Sequence, residues 1–146
     1  MKYYAIIDTN VIISALIKET IDSNSKQQTN PRKILDFIKN GTIIPFINSR
    51  IIAEYIFVLT RNKFHFNKDI VFDVIDLFIE KSLFANCHDL EFGLPDKNDV
   101  VFYAVTISAR EETDAYLITG NIKDFPREPY VVSPKEMIDI IESELK

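Results

Sequence analysis

Cysteine occurs once (Cys87), tryptophan not at all, histidine twice (His65, His88) and glycine only three times in these 146 residues. A lone cysteine excludes an intrachain disulfide, and one cysteine with two distant histidines cannot furnish a structural zinc site. Both point to a reducing compartment, which we take to be the cytoplasm. With glycines only at 41, 93 and 120, neither G-x-G-x-x-G nor G-x-x-x-x-G-K occurs, so the glycine-rich nucleotide-binding loops are excluded. Long apolar runs are missing too. The amino-terminal run, residues 3–7, ends at Asp8, too short for a signal-peptide core or a membrane span. There is no excess of positive charge, since 17 basic residues face 22 acidic ones for a net charge of −5. That excludes a general basic coat for nucleic acid but allows a local basic patch beside an acidic site.

What is present is an ordinary globular composition, 47% apolar and 12% aromatic, enough to bury a core without a staple. The reading is a single domain over residues 1–146. Few Gly and Pro predict dense secondary structure. Residues 3–7 form an unbroken apolar run, the pattern of a central strand buried on both faces, and 42–47, 115–119 and 130–132 resemble it. Helices are predicted at 10–18, at 31–39 stopping at Gly41, from an Asn48 or Ser49 cap to about Leu59, from Asn67 onward, from Asn98 or Asp99 to about Arg110, and from Ser133 to Leu145. The last opens on Ser133-Pro134-Lys135-Glu136, a capping box with proline at the first helical position. The polar stretch 19–30 is the one clear loop and a candidate lid. Strands alternating with helices predict an α/β fold, a three-layer α/β/α sandwich around a mostly parallel sheet of four to five strands.

In such sheets ligands bind beyond the carboxyl ends of the strands. The residues there are polar: Asp8-Thr9-Asn10 after the first run, Thr119-Gly120-Asn121 after a later one, with Asp124 close behind. Glu54 is the single charge in the helical segment 51–59, and Asp96 and Asp99 stand at a helix start. Each has a plainer role available. Asp8 or Asn10 caps a helix equally well, Asp96 and Asp99 suit a helix amino terminus, Glu54 can turn to solvent, and Asp124 can be a turn residue. Converging on one edge, however, two carboxylates about 5 Å apart repel by roughly 3 kcal/mol at an effective dielectric near 20. Four of them approach the stability of a whole domain, so a cluster must protonate or bind cations. Oxygen ligands without His or Cys select a hard ion, Mg²⁺ or Mn²⁺, and the chemistry that fits is phosphodiester hydrolysis.

The segments Ile6-Ile7-Asp8-Thr9-Asn10-Val11, Ala53-Glu54-Tyr55, Leu94 to Tyr103 and Leu117 to Pro126 also resemble the PIN domain, in order and from residue 1 to about 140. The likeness is to small stand-alone bacterial toxins of toxin–antitoxin pairs, relatives of the VapC ribonucleases. It implies a Mg²⁺- or Mn²⁺-dependent endoribonuclease, a homodimer silenced by a cognate antitoxin. It also implies that Asp8 binds the metal directly, that Glu54 completes the shell, and that Asp99 joins them with Asp96 as a neighbour. Thr119 would orient metal-bound water and Asn10 would hold the Asp8 carboxylate. Many relatives carry Asp where this chain has Asn121, and Asp124 is the alternative donor. Arg50, Arg61, Lys63, Lys97, Lys123 and Arg127 are candidates to grip RNA, and Phe64 and Phe66 to stack on bases or to lie buried. Two other functions fit less well: a phosphatase of the aspartyl-phosphate type, which wants an acid where Asn10 stands, and a PIN-fold interaction module with a weakened site.

Overall fold

The computed structural model describes residues 1–21, 29–85 and 97–145. Its first strand, β1 (Tyr3–Ile7), is nearly closed to solvent, with Ala5, Ile6 and Ile7 at 0% exposure. A strand apolar on both faces has to sit between two layers of helix, and its parallel neighbours are reached by crossover connections, helical except between the last two strands, where the connection holds only the 3₁₀ turn Ile122–Asp124. The chain supplies them in turn: α1 (Thr9–Ile21), α2 (Asn30–Lys39), β2 (Ile43–Ile47), α3 (Ser49–Leu59), α4 (Lys68–Lys81), β3 (Leu83–Phe84), α5 (Lys97–Arg110), β4 (Tyr116–Ile118), β5 (Val131–Val132) and α6 (Pro134–Glu144). All strand pairings are parallel, in the order β3-β2-β1-β4-β5. The architecture is the three-layer α/β/α sandwich expected from the sequence.

The caps explain most boundaries. Asn48 and Asn67 accept from the backbone amides of Ile51 and Asp69 and open α3 and α4. Ser133 and Glu136 form the capping box of α6, and Gly41 takes the positive φ of 85° that ends the turn after α2. Two expectations need correction. Helix α1 runs three residues past Lys18 because polarity alone does not end a helix, and neither Gly nor Pro occurs before Pro31. The candidate lid therefore loses 19–21 to α1 and Asn30 to α2, and its remainder, 22–28, lies outside the described residues. Strand β3 is additional. It is two residues long, exposed, and held at the sheet edge by pairing with Phe46 and Ile47, so neither length nor alternation announces it.

The strand order decides where the site falls. Successive crossovers leave β1 toward β2 and β3 on one side, and β4 and β5 on the other, so the order reverses between β1 and β4. A crevice opens at the carboxyl ends of strands at such a reversal. Ile7 pairs with Ile118 there, which sets Asp8 beside Thr119.

Candidate active site

Asp8 follows β1 directly and precedes the first turn of α1. It is 6% exposed. One carboxylate oxygen, Oδ2, accepts a 2.8 Å hydrogen bond from the Thr119 hydroxyl, and the backbone amides of Asn10 and Thr9 also serve the carboxylate. Burial raises its pKa, the bonds from Thr119, Asn10 and Thr9 oppose the rise, and the charge of Asp124 adds to it. The bond from the Asn10 amide caps the first turn of α1 with this carboxylate. The Thr119 hydroxyl, fully buried, accepts in turn from the Asn121 amide at 3.0 Å, and the Asn10 side-chain oxygen accepts from the Gly120 amide at 3.0 Å. These bonds stitch the turn after β4 to the start of α1.

The expected contact of Asn10 with the Asp8 carboxylate is present, made by its backbone amide. Thr119 also holds the Asp8 carboxylate, through its hydroxyl, while the Asn10 side-chain oxygen accepts from Gly120. Strand register explains the Thr119 contact, since Ile7 opposite Ile118 brings that hydroxyl alongside the acid. Replacing Thr119 by Val should remove one stabilising bond to the ionised form and raise the Asp8 pKa further. We expect Thr119→Val to weaken divalent-ion affinity about 10- to 100-fold, read as the Mn²⁺ concentration that half-saturates the thermal shift.

The sequence reading missed Tyr55. Its ring is fully buried, its hydroxyl donates to the Ile7 carbonyl at 2.5 Å, and its faces meet Phe78 edge-on at 5.1 Å and Phe102 stacked at 6.0 Å. Burial, then the Asp8 charge, raises the phenol pKa well above its ordinary value, so the hydroxyl remains a donor. The signal was available: a tyrosine on the apolar face of an amphipathic helix needs a polar partner for its hydroxyl. Tyr55 also ties three acid-bearing segments together. It adjoins Glu54 on α3, touches the residue before Asp8, and stacks on Phe102, one helical turn after Asp99 on α5. Glu54 is half-buried on a flank of α3, and Asp99 is half-buried in the first turn of α5.

Asp124 is exposed in the 3₁₀ turn Ile122–Asp124 and acts on Asp8 through charge, while Asn121 is exposed at the entry to that turn. Asp96 lies outside the described residues, and Lys97 opens α5. Arg50, Arg61, Lys63, Lys123 and Arg127 are all exposed. Phe64 and Phe66 are half-buried and stacked on each other at 5.5 Å and 8°.

Among the described residues, no three His, Cys, Asp or Glu side chains form a group that could hold a metal ion. The chemistry around Asp8 nevertheless suits a hard cation. It is a buried carboxylate that no described cation pairs with, and beside it in sequence the Thr9 hydroxyl oxygen is buried with no hydrogen-bond partner among the described residues. Burying such an acid without a cation costs several kcal/mol in general.

The family model described as PIN domain matches residues 4–123, from β1 through the turn after β4. No curated protein matches this chain. PIN domains are in general nucleases and generally use divalent metal ions. The matched span takes in Asp8, Glu54, Asp99 and Thr119 and stops one residue short of Asp124. With the strand order, the buried acid at its reversal and a match over most of its length all in agreement, this chain belongs to the PIN domain family.

Proposed function

We propose that this protein is a Mg²⁺- or Mn²⁺-dependent endoribonuclease, acting in the cytoplasm as a homodimer and as the toxin of a toxin–antitoxin pair. The observation that carries the nuclease part is the buried Asp8 at the β1/β4 reversal, held by Thr119 and tied through Tyr55 to the helices that bear Glu54 and Asp99. The toxin role, the antitoxin and the dimer rest on the resemblance to stand-alone bacterial toxins. No helix among the described residues is long and apolar enough to cross a membrane.

Asp8 would hold the ion, and the resemblance adds Glu54 and Asp99, which do not group with it into a three-donor set among the described residues, with Asp96 beside Asp99 and Asn121 or Asp124 as the remaining oxygen donor. When bound, a divalent ion in such a set supplies activation of water for in-line attack and neutralises charge on the departing oxygen. The residues contribute position. Thr119 fixes the orientation of the Asp8 carboxylate, and Asn10 fixes the Gly120 turn beside it. The aspartyl-phosphatase alternative is disfavoured at Asn10, which is neutral and already accepts from Gly120, so no acid stands there to protonate a leaving group.

Labelled single-stranded RNA provides the test. The purified chain should cut it with Mg²⁺ or Mn²⁺ and stop in chelator, and Glu54→Gln should cut at least roughly 100-fold more slowly while remaining folded by circular dichroism. Cleavage that persists unchanged in chelator, or brisk p-nitrophenyl phosphate hydrolysis without RNA cleavage, would overturn the proposal.

A further inference from the structure

Helix α3 buries Ile51, Tyr55, Val58 and Leu59. At 100° per residue, Arg50, Glu54 and Phe57 then fall within one narrow stripe along the flank of that buried face, and Arg61 follows two residues after the helix ends at Leu59. Phe57 is 62% exposed, and the Arg61 guanidinium lies 5.0 Å from its ring centroid. An exposed aromatic covered by an arginine is a platform with an apolar face and a fixed positive charge. It begins one turn from Glu54.

Through Arg61 the platform adjoins a cleft of about 480 Å³ whose lining also includes His65, Phe66, Lys68 and Phe72. Phe72 is 53% exposed, and Lys63 sits 5.0 Å over the ring of Phe64 at the same turn. His65 holds a left-handed backbone, φ 54°, that closes the turn at the cleft wall. Residues 61–68 carry Arg61, Lys63 and Lys68 and no carboxylate in a chain of net charge −5, and none of the described residues lining the cleft is acidic. The nearest carboxylate in sequence, Asp69, sits in the first turn of α4.

From this juxtaposition we infer that the Phe57–Arg61 platform and the adjoining cleft bind single-stranded RNA, with unpaired bases on the aromatic rings and phosphates on Arg61 and Lys68. This rests on the nuclease reading for the identity of the strand, because the stripe contains Glu54. Exposed rings interleaved with cations are the means by which proteins hold unpaired strands, and a duplex has no free base face to offer them.

The experiment is fluorescence anisotropy with a labelled 12-nucleotide oligouridylate and Mg²⁺, in the Asp8→Asn chain so that binding is read without cleavage. Wild-type protein with Ca²⁺ serves if that variant misfolds. Phe57→Ala should weaken binding about 5- to 100-fold. Arg61→Ala and Lys68→Ala should each lower the slope of log K against log salt by about 0.7, whereas Lys135→Ala, an exposed cation on α6, should leave it unchanged. The inference fails if Arg61→Ala and Lys68→Ala match Lys135→Ala, if duplex RNA binds as tightly, or if polyglutamate of equal charge displaces the strand as well as RNA does. Binding as described without any cleavage by the wild type would sink the nuclease reading and leave this site standing. Cleavage that is indifferent to Phe57→Ala and Arg61→Ala would do the reverse.

Discussion

Asp8→Asn should abolish measurable RNA cleavage, a loss of at least about 1,000-fold, and yet melt higher than the wild type when metal is absent. The two effects have one cause. Asn keeps the shape of Asp8 and an oxygen for the Thr119 hydroxyl but removes a charge that burial disfavours. Because the folded pKa of Asp8 is raised, its contribution to stability is fully present below the unfolded value and is lost as pH rises through the folded one. Metal-free wild type therefore carries this cost at neutral pH and above, and the variant does not. In chelator at pH 7, Asp8→Asn should melt higher than the wild type, and the difference should shrink as pH falls. With Mn²⁺ at 100 times its dissociation constant the order reverses. The wild type gains about 2.7 kcal/mol and the variant gains little. Equal Mn²⁺ shifts in the two proteins would remove Asp8 from the metal site.

Tyr55→Phe should separate structure from chemistry at the other side of the same carboxylate. The substitution leaves the ring between Phe78 and Phe102 and deletes only the bond to the Ile7 carbonyl. Losing a buried hydrogen bond costs about 1–2 kcal/mol, or about 2–8 °C in melting temperature. It also frees the end of β1 from α3, so the acids on either side no longer share a fixed spacing. We expect kcat to fall about 10-fold with KM unchanged, and the Mn²⁺ concentration for half-maximal rate to rise about 10-fold. Tyr55→Ala would go further and empty the space between two rings, at about 3–5 kcal/mol, a large part of an ordinary domain's 5–15 kcal/mol. If Tyr55→Phe shows the wild-type metal requirement, Tyr55 is core packing and nothing more.

Much of the frame was legible in the chain alone, because the effects that set it are local. The Asn48 and Asn67 caps, the Ser133 capping box and the amphipathic period of α4 act over two to four residues, and the apolar run of β1 states its own burial. The same locality explains the misses. Nothing within a few residues of Leu83 and Phe84 marks them as a strand, since their order comes from Phe46 and Ile47. Nothing near Lys18 ends α1, so its true length was hidden behind a polar stretch.

The sequence by itself determined the α/β class, the polar residues waiting at strand ends, and the chemistry that oxygen donors without His or Cys permit. Only the tertiary structure decided which donor serves which acceptor. Thr119 meets Asp8 across 111 positions and Asn10 meets Gly120 across 110, through a strand register that no local pattern encodes. Tyr55 likewise became a tie between β1, α3 and α5 only when packing brought the Ile7 carbonyl under its hydroxyl. Periodicity and capping are written in neighbours along the chain, whereas a site is written in neighbours across it, and those are chosen by how the layers close over a common core.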